Sequence, residues 1–302
     1  ISEFMDEPAI DWLRARHDVT YDPALVDDPA ALRAACAKAS ALIVRNRTQV
    51  DAALMDAAPG LRAIGRLGVG LDNIDTATAK ARCVAVFPAT GGNVTSVAEY
   101  VITALMVLRR GAWLGSADVL SGAWPRQRMM GLEVEGASLG LVGFGAIAQA
   151  TAARAQALGL LVAAYDPYLP ANDHAWHGIA RFDDLDQLTA HADALSLHVP
   201  LTDATRGLFG ADRLAMMKPG AVLINTARGH IVDEAALADA LHSGHLGGAA
   251  MDVFASEPLG AGSPLEGAPN LIATPHIAGV TVESNTRISW ITARNVDGAL
   301  AG

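Results

Sequence analysis

Leu139-Gly140-Leu141-Val142-Gly143-Phe144-Gly145-Ala146-Ile147-Ala148 turns an apolar strand into a glycine hinge and then into an alanine-rich helix. In this pattern Gly143 permits the tight turn, Gly145 lets the backbone approach a pyrophosphate, and Ala148 keeps the third position small so that helix and strand pack closely. Phosphates would rest on the helix N-terminus, where unpaired N–H groups and the helix dipole favour negative charge. Leu160-Leu161-Val162-Ala163-Ala164-Tyr165-Asp166 follows as a second strand. It ends in an acid about twenty residues beyond the glycines, where a ribose diol is bound. A carboxylate there accepts hydrogen bonds from free ribose hydroxyls and repels a 2′-phosphate, so the expected cofactor is NAD rather than NADP. Neither Pro167 nor Tyr168 supplies a cation to reverse that preference.

Outward from this turn, apolar runs at 139–143, 160–165, 194–199, 221–226, 248–253 and 271–274 suit a doubly wound parallel sheet. Upstream, strand-like runs at 1–4, 41–44, 61–67 and 84–87 alternate with helical patterns at 9–16, 30–39, 50–57 and 74–81. The first run, Ile1-Ser2-Glu3-Phe4, reads as the end of a strand whose first residues are absent, without signal-peptide character. Between the two series, 94–114 reads as one long helix capped by Thr95 or Ser96, and 88–93 is a natural crossing point. A last helical segment, 282–300, is too short for a domain and is expected to pack back on the first unit. The expected fold class is α/β, with two doubly wound parallel-sheet domains. Residues 1–93 and 280–302 would form a discontinuous, flavodoxin-like substrate domain, and 94–279 an inserted NAD-binding Rossmann domain.

At 302 residues and 51% hydrophobic content the chain can bury substantial cores. The net charge of −10 argues against nucleic-acid binding, which needs clustered Lys and Arg. The most apolar helical stretch, 97–108, is short and carries Glu99 and Thr103, so no membrane span is expected. Cys36 and Cys83 make neither a disulfide framework nor a metal-spacing motif, which points to a reducing cytoplasm and no metal.

Three polar residues stand immediately past apolar runs or close to them. Arg228 follows Leu223-Ile224-Asn225-Thr226-Ala227, on the ligand edge of a parallel sheet, where a planar guanidinium can pair bidentately with a carboxylate. His276 follows Ile272-Ala273-Thr274-Pro275, and imidazole is the natural proton carrier near neutral pH. A carboxylate beside it would favour the imidazolium, and Glu257 in Asp252-Val253-Phe254-Ala255-Ser256-Glu257-Pro258 is the candidate. His198 also ends a strand, with an adenine-side wall and catalysis both open to it.

In that order Arg228, Glu257 and His276 resemble the Arg, Glu and His of the D-isomer-specific 2-hydroxyacid dehydrogenase family. The resemblance extends to Gly65-Arg66-Leu67-Gly68-Val69-Gly70-Leu71-Asp72-Asn73-Ile74-Asp75, Ala98-Glu99, Asn225-Thr226-Ala227-Arg228-Gly229, Val232-Asp233-Glu234 and Asp252-Val253-Phe254. It implies an NAD-dependent oxidoreductase that moves a hydride between nicotinamide and a small anionic 2-hydroxy or 2-oxo acid. Arg228 would bind the substrate carboxylate and carbonyl, His276 would exchange the proton, and Glu257 would hydrogen-bond His276. The resemblance further implies substrate contacts from the backbone around Val69 and Gly70. Its implied cofactor contacts, besides Gly143, Gly145 and Asp166, are Val69, Ala146, Ile147, His198, Val199, Pro200, Thr205, Thr226, Ala227, Asp252 and Gly279, with Asp252 facing the nicotinamide amide.

Val44-Arg45-Asn46-Arg47-Thr48 resembles the phosphoglycerate dehydrogenase-like branch but departs from its usual small polar pair after the first Arg. Together with Ile1-Ser2-Glu3-Phe4-Met5-Asp6-Glu7 and Trp124-Pro125-Arg126, it also resembles sulfolactate dehydrogenases. Either resemblance implies a second anion on the substrate, for which Arg45 and Arg47 are the candidates, with Arg126 and Arg128 as runners-up. A homodimer built on the 94–114 helix and the arm through Met130 is expected, because that helix is apolar on more than one face and the family pairs there. The alternative is an NAD(H)-sensing binding protein or corepressor that uses the same fold without turnover.

Overall fold

The computed structural model describes residues 1–301. The chain forms two compact units, Ile1–Asn93 with the chain from Val280 onward, and Val94–Gly279.

In the first unit, helices α1 (Glu7–Arg14) and α2 (Pro29–Cys36) precede strand β1 (Ala41–Val44). Then α3 (Ala52–Asp56), β2 (Ala63–Arg66), α4 (Thr76–Ala81) and β3 (Ala85–Pro88) follow in strict alternation. The three strands lie parallel in the order β1-β2-β3. Aspartates start the helices: Asp28, Asp51 and Asp75 each accept a backbone N–H from the first turn of the helix that follows. Side chains alternate across β1, so Leu42 and Val44 join one buried cluster while Ile43 joins another with Met5, Ile10 and Ile288. The C-terminal helix, Val282–Ala301, covers this second face. Its approach explains Gly65, where a Cβ would stand 2.7 Å from methyls of Thr292 and Val296.

Ile1–Phe4 is not a strand. Ser2 N–H bonds Ile43 O at 3.1 Å, and the chain then gives up pairing because the buried Glu3 carboxylate takes the next donors. It accepts the N–H groups of Arg45, Arg47 and Thr48 at 2.8, 3.1 and 3.0 Å.

The second unit begins with α5 (Val94–Arg110) and α6 (Ser116–Leu120). Its strands are β4 (Ser138–Val142), β5 (Leu161–Tyr165), β6 (Ala180–Phe182), β7 (Ala194–Leu197), β8 (Val222–Asn225), β9 (Gly248–Met251) and β10 (Leu271–Ala273). Helices α7 (Ala146–Ala157), α8 (Leu185–His191), α9 (Ala211–Met216) and α10 (Glu234–His242) connect them. All pair in parallel in the order β10-β9-β8-β7-β4-β5-β6, with a buried apolar cluster on each face. The order reverses between β4 and β7, and in such sheets ligands bind outside the carboxyl ends of the strands at that reversal.

Two local expectations fail here, and one strand has no counterpart among the apolar runs. The long helix stops at Arg110, because Gly111 adopts φ +64° and a short 3-10 turn, Ala112–Gly115, follows. Thr95 and Ser96 lie inside its first turn, so neither caps it. Strand β6, only three residues and largely exposed, lacks the apolar run that marks its neighbours. Among the described residues no helix is long and apolar enough to cross a membrane, and no group of three or more His, Cys, Asp and Glu is placed to hold a metal.

Candidate active site

Strand β4 delivers the glycine turn to the carboxyl edge of the sheet. Gly143 has φ +86°, and a Cβ there would lie 2.8 Å from His198 O, so only glycine fits both the turn and its neighbour. Gly145 starts α7 with no side-chain cap, and nothing lies within 4 Å of where its Cβ would be. That leaves backbone donors at Ala146 and Ile147 uncapped beside open space, as a phosphate requires. Ala148 is fully buried where α7 meets the sheet. The turn is braced from β5: Asp166 Oδ2 accepts Phe144 N–H at 2.8 Å, and Oδ1 accepts Tyr168 and Leu169 N–H at 2.9 and 3.1 Å. Asp166 therefore shapes the cradle as well as presenting an acid at the strand end.

Two buried polar atoms on adjacent strand ends have no partner among the described residues, His198 Nε2 after β7 and Thr226 Oγ1 after β8. Unpaired buried polar groups are costly, so these fit a polar ligand on the sheet edge. Burial pushes the His198 imidazole down to about 4, which keeps it neutral and removes it from proton exchange near pH 7. The glycine cradle, the acid at β5 and these orphan atoms together suit NAD. Val199 packs beside Gly143, with Pro200 exposed after it. The Thr205 hydroxyl is used within its own loop, donating to Pro200 O at 2.6 Å.

On the other side of the reversal the buried Asn225 side chain staples the turn that carries Arg228. Its Oδ1 accepts Ala227 N–H at 3.0 Å and its Nδ2 donates to Arg228 O at 2.9 Å. Arg228 is partly buried, with Nη1 donating to Ala227 O at 2.6 Å. At Gly229 a Cβ would lie 1.9 Å from Phe254 C, so the glycine lets the arginine turn press against the loop that leads to Glu257. Glu257 bridges that loop to the histidine: Oε1 accepts Phe254 N–H at 3.0 Å and Oε2 meets His276 Nδ1 at 2.8 Å. An ionised carboxylate only accepts, so Nδ1 carries the hydrogen and Nε2 is left for the substrate.

His276 sits at φ +53°, a conformation unusual for any side chain but glycine. Asp252, almost fully buried, holds that turn. Its carbonyl accepts His276 N–H at 2.8 Å, and its carboxylate accepts Ile277 and Ala278 N–H, each at 2.8 Å, and the Thr274 hydroxyl at 2.6 Å. Tyr100 on α5 closes the chain on Thr274 Oγ1 at 2.6 Å. The resemblance directs Asp252 at the nicotinamide amide; three of its carboxylate acceptor sites are given to the His276 turn. Tyr100 and Thr274 carry roles that no motif in the sequence assigns them, whereas Asn225 opens the Asn225-Thr226-Ala227-Arg228-Gly229 segment and acts within it. Gly279, partly buried, ends this unit.

In the first unit Val69 is 39% exposed and Gly70 partly buried on the turn after β2. Arg45, after β1, is partly buried and donates from Nη2 to Asn285 Oδ1 at 2.8 Å. Arg47 is instead exposed and ion-paired with Asp27, so of the two leading candidates for a second anion only Arg45 lacks an ion pair; of the runners-up, Arg128 pairs with Asp118 and Arg126 is exposed.

Residues 102–278 match the family model described as D-isomer specific 2-hydroxyacid dehydrogenase, NAD binding domain. The chain is 59% identical over 300 residues to (S)-sulfolactate dehydrogenase of Chromohalobacter salexigens, covering 99% of this chain and 97% of that protein. It is 42% identical over 275 residues to D-3-phosphoglycerate dehydrogenase of Mycobacterium leprae, covering 91% of this chain but only 52% of that longer protein. Among solved structures, TT0316 protein from Thermus thermophilus superposes with a TM-score of 0.88 at 35% identity, covering 100% of this chain and 96% of that one. D-Lactate dehydrogenase from Aquifex aeolicus, solved with NAD and lactic acid, does so at 0.81 and 29% identity, covering 89% and 85%. The non-turnover sensor draws no support from these relatives. With its glycine cradle, strand-end acid and paired histidine and glutamate, the chain belongs to the D-isomer-specific 2-hydroxyacid dehydrogenases, as an NAD-dependent oxidoreductase.

Proposed function

We propose that the chain interconverts a small 2-hydroxy acid bearing a second anionic group, of the sulfolactate type, with its 2-oxo acid. The 2.8 Å pair of His276 Nδ1 and Glu257 Oε2 on the ligand side of the NAD unit carries the chemical part of this reading. Bound NAD supplies the hydride acceptor, or NADH the donor. The N–H groups of Ala146 and Ile147, with Gly143 and Gly145, would hold its pyrophosphate and Asp166 its ribose. His198, Val199, Pro200 and Thr205 would line one end of the cofactor, and Thr226, Ala227, Asp252, Gly279 and Val69 the other.

His276 Nε2 takes the hydroxyl proton in oxidation and returns it in reduction, while Glu257 stabilises the imidazolium that forms between. Arg228 pairs with the substrate carboxylate and polarises the reacting carbonyl, a task suited to a planar guanidinium. Backbone donors at Val69 and Gly70 would add to the carboxylate's binding, and Arg45 would take the second anion. Likeness to a sulfolactate dehydrogenase over nearly the full length of both chains supports that substrate class.

A homodimer and a reducing, cytoplasmic compartment complete the proposal. The first is supported by exposed apolar residues in the arm after α5 and the second by two free cysteines. The test is NADH oxidation with 3-sulfopyruvate, 3-phosphohydroxypyruvate, pyruvate and glyoxylate. Turnover should be greatest with an acid carrying a second anion; equal turnover of pyruvate would refute the substrate class, and tight NADH binding without turnover of any would refute the reaction.

A further inference from the structure

Arg45 makes no ion pair with a carboxylate among the described residues, and the charge of Glu3 reaches it only through space. Its guanidinium has one hydrogen bond, to the neutral amide of Asn285, and the Phe4 ring 6.0 Å away. Glu3 lies nearby, but its two oxygens are taken by the backbone N–H groups of Arg45, Arg47 and Thr48. The other cation of the loop, Arg47, is paired with Asp27. Burial lowers the Arg45 pKa, and the nearby Glu3 carboxylate offsets only part of that cost. A partly buried cation in this state is completed by an anion.

Asn285 is built into the same arrangement. A guanidinium has donors only, so the amide must turn its oxygen to Arg45, and its Nδ2 then faces away. Nδ2 makes no hydrogen bond among the described residues, so the side chain that orients Arg45 also offers two N–H donors of its own. The backbone fixes this placement, since Asn285 lies in the first turn of the C-terminal helix and Arg45 directly follows β1.

We infer that Arg45 and Asn285 together form a subsite for a singly charged tetrahedral anion, a sulfonate in preference to a phosphate, with Asn285 both positioning the guanidinium and donating to the anion. This rests on the proposal that the substrate carries a second anion bound at Arg45. The preference follows from charge. A phosphate monoester carries about −1.5 to −2 at neutral pH and calls for a second cation. A sulfonate carries a single charge and three acceptor oxygens. One guanidinium, one neutral amide and a buried glutamate behind them match the smaller charge, while the cation that would serve the larger one is committed to Asp27.

The experiment compares kcat/KM for 3-sulfopyruvate, 3-phosphohydroxypyruvate and glyoxylate in the wild type, Arg45→Ala, Asn285→Ala and Asn285→Asp. NADH affinity and melting temperature are followed to confirm folding. The wild type should favour the sulfonate over the phosphate. Asn285→Ala should lower the sulfonate-to-glyoxylate ratio about tenfold through KM rather than kcat, and Asn285→Asp, which sets a carboxylate against Arg45, about a hundredfold. A fall in the ratio for Arg45→Ala with none for either Asn285 variant would overturn the role of Asn285 and leave the second-anion proposal standing. An unchanged ratio in Arg45→Ala would overturn both, and a wild-type preference for the phosphate would overturn the charge argument.

Discussion

His276 sits on a turn that costs backbone energy, and three neighbours offset it: the Asp252 carboxylate through two backbone N–H groups, Thr274 through its hydroxyl on that carboxylate, and Glu257 at the ring. Replacing His276 with Ala should cut turnover by about two to four orders of magnitude while leaving NADH affinity within about twofold, measured by steady-state kinetics and fluorescence titration. Glu257→Gln leaves a neutral group against Nδ1, so the imidazolium that forms in the proton step loses its charged partner and kcat should fall by at least about tenfold with NADH affinity unchanged. A kcat equal to that of the wild type would remove Glu257 from the proton step. His198 gives a different pH signature. Its native value near 4 lies below the ordinary 6.5, so its contribution to stability is complete above 6.5 and declines as pH falls towards 4, where the unfolded chain binds a proton that the native one refuses. Urea titrations at pH 7 and pH 5 should show a smaller difference in His198→Phe than in the wild type.

At the scale of the element, the strand-turn-helix from β4 to α7 separates two glycines with different reasons to exist. Gly143 is needed by the protein itself, with φ +86° and a carbonyl 2.8 Å from any Cβ, whereas the space around Gly145 is open. Gly143→Ala should therefore lower the melting temperature of the cofactor-free protein. Gly145→Val should leave that temperature nearly unchanged and weaken NADH binding at least about tenfold, because the added side chain occupies space a pyrophosphate would take. Equal destabilisation by both, or unimpaired binding in Gly145→Val, would show that the turn is not a phosphate cradle. Asp166→Ala should act at both levels, since the side chain braces Phe144 N–H and presents the ribose acid. NAD affinity falls, the preference over NADP narrows, and some thermal stability goes with them.

At the scale of the molecule, apolar side chains that a monomer rarely leaves in water cluster in one stretch of sequence. Trp113, Leu120, Trp124 and Met130 are 60, 89, 75 and 76% exposed, all in the arm that follows α5. A two-fold pairing of such a patch with its copy buries it without a new partner. Light scattering at micromolar concentration should give twice the chain mass, and the double variant Leu120→Lys, Trp124→Lys should give one. A wild-type monomer would refute the dimer.

The sequence by itself determined whatever depends on neighbours in the chain. The alternation of strand and helix, the glycine turn after Val142, the Asp residues before helix starts and the polar residues just past strands β8 and β10 all follow from local period and local hydrogen bonding. It misled where the deciding partner was distant. Ile1–Phe4 looks like a strand, but Glu3 commits its carboxylate to a loop more than 40 residues away. Arg45 and Arg47 read alike, but Asp27 neutralises one and Asn285, 240 residues from the other, orients it. Tyr100 and Thr274 have no role that a motif assigns, yet they hold Asp252 and through it the turn of His276, across 174 residues of chain. Only the tertiary structure decided these roles, because the charge and hydrogen-bonding capacity of a side chain are local properties, whereas which of them remain for a ligand depends on what the fold brings against them.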